Sequence, residues 1–347
     1  MNLQDHFFRY IVIGLCVCSL NAGCTESASS RSEFVLGTLC VVNLYNRGES
    51  GIYREIFTRL REIESRMSAV LGESEIQAVN SAAGIQPVKV AHDTFEVIEG
   101  ALHYAELSDG AFDPTIGPLV TLWGIGRDNV RIPDSAAVQE ALSRVGWRDV
   151  ALNREEGTVF LGRAGMGLDL GGIAKGYAAD EAVRIIKRHN LKRAIIDLGG
   201  NIYAYGEKAG KWPGKGLPWR IGIQDPLEER GQYFALLELR NKTVVTSGVY
   251  ERFLEVDGKK YHHILSTTNG YPVDTGLLSV TIIADKSLDA DALSTAVFAL
   301  GWERGSALLN QIGNAGGIFV FTDKTVRCTP GMEEFFTLIN GSYHLAR

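Results

Sequence analysis

The chain has 347 residues, 45% of them hydrophobic and 22% charged, which describes a soluble globular protein with enough apolar side chains for one large domain or two. Formal net charge is −6, so there is no excess of basic side chains to neutralise a phosphate backbone, and nucleic-acid binding is set aside.

In chain order, Arg9 precedes the apolar run Tyr10 to Leu20 (YIVIGLCVCSL), too short to cross a bilayer but the right length for a signal-peptide core. The next residues, Asn21-Ala22-Gly23-Cys24, resemble the lipobox of bacterial lipoproteins, with Asn21 where a leucine is usual. Two readings stay open. Cys24 becomes the acylated N-terminus of a protein anchored to a bacterial membrane and facing the periplasm, or it follows a plain secretory signal unmodified. Both imply export, with 1–23 as signal peptide, 24–32 as a small, polar tether and 33–347 as the functional domain.

Phe34 to Tyr45 predicts a strand in which Cys40 is a buried thiol. Cys40 and Cys328 are the two cysteines of the folded part, and nothing in their spacing assigns a disulfide or a metal site. Ile52, Ile56, Leu60, Ile63 and Met67 recur at helical spacing and define an amphipathic helix ending near Ala69; Val97, Ile98, Ala101, Leu102 and Ala105 mark a second, and Ser135 to Val145 a third. A helix opening in LDLGGIAKGYAAD (Leu168 to Asp180) runs to about His189, followed by a buried strand, Arg193 to Leu198. From Trp219 to Ala284 strands dominate, including a hairpin turning at Asp257-Gly258. Ser287 to Leu300 and Glu303 to Ile312 return to helix, then Gly317 to Thr322 is strand. Helices grouped early and strands grouped late predict an α+β fold.

Several stretches carry more chemistry than a framework needs. In LDLGGIAKGYAAD the glycines allow a tight turn and a close approach, and the free N–H groups of the following helix suit phosphate, with Asp169 and Lys175 beside them. In LDADALST (Leu288 to Thr295), Asp291, Ser294 and Thr295 fall on one helical face, a carboxylate with two hydroxyls, the hard-oxygen set that suits magnesium shared with a substrate phosphate. DGAFDPTIGPLVTLWGIG (Asp109 to Gly126) has little periodicity and reads as a functional loop. YHHILSTTNGYP (Tyr261 to Pro272) places His262 and His263 before a hydroxyl-rich turn; an imidazole titrates near physiological pH, which makes His263 the candidate proton acceptor, with His262 adjacent and only one of two strand neighbours able to face a site. The P-loop, the dinucleotide-binding glycine fingerprint, H-E-x-x-H and G-x-S-x-G do not occur.

These stretches, with LGGNIYAYG (Leu198 to Gly206), TSGVYERF (Thr246 to Phe253) and DADALSTAVFALG, come in the order found in the ApbE family, which the chain resembles from about Phe34 to the C-terminus. That resemblance implies an exported flavin transferase, moving FMN from FAD onto a threonine or serine of an acceptor flavoprotein and releasing AMP. It implies mixed or antiparallel sheets with packed helices, and a site for FAD and Mg2+ between two lobes. It places Leu36, Ala111, Phe112, Asp113, Asp169, Lys175 and Leu265 against FAD, and gives Mg2+ the Gly172 carbonyl, Asp291, Ser294 and Thr295. The sequence departs from the family pattern after Met67-Ser68, where Ala69-Val70-Leu71 offers no ring to stack on the flavin, and at Ser266-Thr267, where Asp-Pro is usual. Beside protein FMN transfer, two readings therefore stay open: a magnesium-dependent FAD pyrophosphatase giving FMN and AMP, and an FAD-storing lipoprotein.

Overall fold

The computed structural model describes residues 29–45, 50–126, 130–210 and 215–346. The signal-peptide reading and Cys24 lie outside the described residues.

The framework is a nine-stranded sheet whose strands stand side by side in the order in which the chain meets them: Ser29–Val35, Thr38–Leu44, Ala194–Leu198, Asn201–Tyr205, Lys242–Gly248, Leu277–Ala284, Ala315–Phe321, Thr325–Cys328 and His344–Leu345. Every neighbouring pair is antiparallel except the last. Such a meander needs no crossover helices, so the helices come as insertions between strands. They are α1 (Ser50–Met67), α2 (Glu75–Ser81), α3 (His92–Leu107), α4 (Gly117–Trp123), α5 (Ser135–Leu142), α6 (Ala174–Arg188) and α7 (Ser287–Ile312). The expected α+β class is what the structure shows.

One face of the sheet is covered by α6 and α7, with α1 and α3 packed on them. Ile56, Leu60 and Ile63 of α1, Ala178 and Ile186 of α6, and Leu293 and Val297 of α7 meet Val42, Ile196, Val280 and Ile282 in one core. The other face carries a three-stranded sheet, Trp219–Gln224, Tyr233–Leu239 and Phe336–Leu338, closed around Phe234, Leu237, Ile283 and Val320. A satellite core holds α4 against α5 through Leu119, Trp123, Val138 and Ala141, with Leu265.

The single strand expected over Phe34 to Tyr45 is two. Leu36 and Gly37 take φ of 57° and 67°, and consecutive left-handed residues make the tight turn that suits the right-handed twist of a hairpin. An apolar residue in this turn gives no turn signal, and leucine there is strained. The new strand begins at Ser29, so 29–32, read as the end of the tether, are paired sheet. The second hairpin, Phe253–Val256 with Lys259–His262, turns where Asp257-Gly258 predicts. α7 is one helix with a break at Gly301 (φ 73°, ψ −176°), which separates the two helices read from periodicity. α4 went unread because Pro118 starts it and Gly124, left-handed, ends it within two turns.

Candidate active site

The chemistry-bearing stretches converge. Asp169 N–H donates to the Pro114 carbonyl at 2.8 Å and Gly117 N–H to the Gly167 carbonyl at 3.1 Å, which ties the glycine-rich turn to the Asp109 to Gly126 loop. Thr267 Oγ1 donates to the Gly110 carbonyl at 2.7 Å and Trp123 Nε1 to the Gly270 carbonyl at 2.9 Å, which brings in the turn after the histidines. Asp169 also accepts Gly171 N–H at 2.8 Å, closing the turn ahead of α6.

α7 is docked on α6 by the third glycine of LDLGGIAKGYAAD, Gly176. A Cβ on Gly176 would overlap the Ser287 carbonyl oxygen and lie 2.7 Å from Leu288 Cα, so only glycine permits this approach. Gly176 N–H then donates to Asp291 Oδ2 at 2.8 Å, and Asp180 accepts Ser287 N–H and Leu288 N–H, both at 2.9 Å, capping α7 from another helix. Asp180 and Gly176 were missed as positioning residues because the contacts are made only when two helices meet.

Asp291 is 3% exposed, and its other oxygen lies 3.6 Å from the Lys175 ammonium, which donates to the Gly171 carbonyl at 3.0 Å. Thr295 stands on the same face: its Oγ1 is 3.3 Å, and Phe112 Cε2 3.1 Å, from where a Gly172 Cβ would sit. Phe112 is buried in the main core beneath this turn. Ser294 is turned inward: its hydroxyl donates to the Asp291 carbonyl and meets Ser247 Oγ, each at 2.8 Å.

Ser247 is the second residue of TSGVYERF, and Arg252, its last but one, receives the histidine. The Arg252 carbonyl accepts His263 N–H at 3.1 Å and His263 Nδ1 at 3.2 Å. A carbonyl only accepts, so Nδ1 carries the proton and Nε2 is left with the lone pair. Burial, with Arg252, His262 and Lys175 adding positive charge nearby, holds His263 down at about 4, so the ring is neutral near pH 7. His262 is structural: Nε2–H donates to the Val273 carbonyl at 2.8 Å, Nδ1 accepts Ile264 N–H at 3.3 Å, and the ring meets Phe298 edge-on.

Other expected contacts take different places. Asp113 spends Oδ1 on Thr115 N–H (2.8 Å) and Oγ1 (2.7 Å) and Oδ2 on Trp147 N–H (3.0 Å), at 6% exposure; burial pushes its carboxyl up. Leu265 is buried in the satellite core, bridging Pro272 through its backbone. Ala111 is half-buried on the loop beside Gly110, and Leu36 is half-buried in the hairpin turn, next to Gly37, whose carbonyl meets the Arg252 guanidinium.

Residues 36–319 match the model of the ApbE family. The chain belongs to the ApbE family. It is 42% identical to a protein of Treponema pallidum named FAD:protein FMN transferase, over 97% of this chain and 98% of that one. Among solved structures it is similar to an ApbE protein of Thermotoga maritima, 32% identical, covering 89% of this chain and 99% of that one at a TM-score of 0.81. It is also similar to the flavin transferase ApbE of Vibrio cholerae, 25% identical, covering 89% and 100% at 0.78.

Within this ApbE-family chain the oxygens at Asp291, Thr295 and Gly172 can be tested against magnesium. Among the described residues no three His, Cys, Asp or Glu side chains gather into a metal cage. One buried carboxylate with neutral oxygens is nevertheless a donor set suited to Mg2+, which completes its shell from water and substrate phosphate. The fit is through Asp291 and Thr295; Ser294, bonded on both sides, serves as a brace behind Asp291.

Proposed function

We propose that this chain transfers FMN from FAD to a threonine or serine hydroxyl of an acceptor flavoprotein, releasing AMP, with Mg2+ held by Asp291, Thr295 and the Gly172 carbonyl. The observation that carries this reading is that one neutral histidine with a free Nε2 and one buried carboxylate are braced by the same short segment, Ser247 against Ser294 and Arg252 against His263. Lys175 lies between them, 3.6 Å from Asp291 and near enough to help depress His263.

In the transfer, the acceptor hydroxyl oxygen bonds to the FMN phosphorus, the pyrophosphate P–O bond breaks, and AMP leaves with the bridging oxygen. His263 Nε2 takes the hydroxyl proton and returns it to solvent. Lys175 holds the phosphates and Asp169 fixes the turn beside it; of the N–H groups opening α6, which the sequence alone left free for phosphate, Ala174 gives its own to the Leu170 carbonyl and Gly176 to Asp291. Bound magnesium supplies charge neutralisation as AMP departs.

A second reading, FAD hydrolysis by water in the acceptor's place, is favoured by Val70 and Leu71, which stand exposed where the family pattern has a stacking ring. We further propose that the protein is exported and anchored by an acylated Cys24, supported by the lipobox-like run.

The test is incubation with FAD and Mg2+, with and without a threonine-bearing acceptor flavoprotein. Fluorescent acceptor in a denaturing gel, with AMP, supports transfer; FMN and AMP without acceptor support hydrolysis; no cleavage removes both. His263→Ala should abolish transfer and spare FAD binding.

A further inference from the structure

We propose that Arg252 is a positioning residue for the transfer: its peptide oxygen takes the Nδ1 proton of His263, and its side chain, laid between the hairpin turn and the Gly126 loop, holds that oxygen in place. Three contacts support this. The same carbonyl receives both the backbone N–H and the ring Nδ1 of His263, so ring and backbone are fixed to one atom. The guanidinium reaches the Gly37 carbonyl at 3.4 Å, a long bond to the turn that also gives its Gly37 N–H to Glu64 at 3.3 Å. The stem lies on Gly126, where a Cβ would meet Arg252 Cδ at 3.1 Å, so the loop glycine leaves room for it.

The arrangement does the work that a carboxylate does for the histidine of a hydrolytic triad, selecting the tautomer and the ring's orientation, but with a peptide oxygen. A carbonyl cannot stabilise an imidazolium as a carboxylate does, so the ring stays a weak base whose value lies in its placement. The adjacent His262 has the opposite tautomer, Nε2–H to Val273 with Nδ1 accepting from Ile264. Neighbouring histidines with opposite protonation are an internal standard for the test.

Nitrogen-15 NMR of histidine-labelled protein at pH 7, without FAD, should show His263 protonated at Nδ1 and His262 at Nε2. In Arg252→Ala the His263 signals should move toward a mixture of tautomers while His262 stays unchanged, and kcat for transfer should fall on the order of tenfold with KM for FAD changed less than threefold. Arg252→Lys, which keeps the stem on Gly126, should recover most of the kcat and most of the Nδ1 tautomer, and it serves as the variant to read if the alanine protein does not fold. An Nε2–H tautomer in the wild-type protein overturns the inference. So does a fall in kcat with the tautomer unmoved, which would put the guanidinium on the substrate instead. The kinetic arm rests on the transfer reading and the tautomer arm does not, so an absence of transfer in the wild-type protein sinks that reading alone.

Discussion

Replacing Gly176 by alanine tests the joint on which the whole site depends. The added Cβ would overlap the Ser287 carbonyl oxygen and sit 2.7 Å from Leu288 Cα, both backbone atoms at the start of α7, so no side-chain rotation relieves the clash. The helices must part by roughly an ångström, and overpacking of this kind costs about 1–3 kcal/mol. Parting them also stretches the bond from Gly176 N–H to Asp291, a charge-assisted contact of 2.8 Å whose loss costs about 1.5–3 kcal/mol. The two effects overlap, and together predict a destabilisation of about 3–5 kcal/mol, or a melting point lower by about 10 °C. Urea denaturation followed by tryptophan fluorescence measures the first, and FAD turnover measures the displacement of Asp291 and Thr295. Gly51→Ala is the control: nothing lies within 4 Å of its Cβ, and the change should be neutral or stabilise by up to ~1 kcal/mol. A Gly176→Ala protein within 1 kcal/mol of wild type and fully active would refute the argument that close helix approach positions the site.

Asp113→Ala should act on stability before FAD affinity, because it leaves Thr115 N–H and Trp147 N–H without their acceptor; a loss of about 2–4 kcal/mol in chemical denaturation is expected. If instead FAD binding collapses with stability intact, Asp113 faces the nucleotide. In the proposed transfer the neutral ring of His263 takes the proton, and burial first, then Arg252, His262 and Lys175, hold it at about 4 against an ordinary 6.5. The acid limb of kcat/KM for transfer should therefore fall below about pH 5, and a limb near 6.5 would show an ordinary imidazole. Because the folded value is the lower one, this ring takes stability away as pH falls from about 6.5 to about 4. Cys40 and Cys328, both pushed up to about 12 chiefly by burial, should resist a disulfide-exchange reagent at pH 8 and react on unfolding; peptide mapping locates the label.

What the sequence determined by itself was local. Periodicity placed the long helices because their buried faces repeat every three or four residues, as Ile56, Leu60 and Ile63 do in α1. Turn chemistry placed the Asp257-Gly258 hairpin, and helical spacing put Asp291 and Thr295 on one face of α7. Ordered motifs identified the family. What only the tertiary structure decided was which oxygen and nitrogen atoms are free. Asp113, Ser294 and Asp291 are all small polar residues in motif positions, yet the first is consumed by Thr115 and the distant Trp147, the second by Ser247, and the third keeps an oxygen open beside Lys175. His262 and His263 differ only in which carbonyl each ring finds, Val273 or Arg252. A side chain's chemistry is written in the residue type, but whether its lone pair or proton is available depends on partners that come from distant parts of the chain, and those meet only when the strands and helices pack.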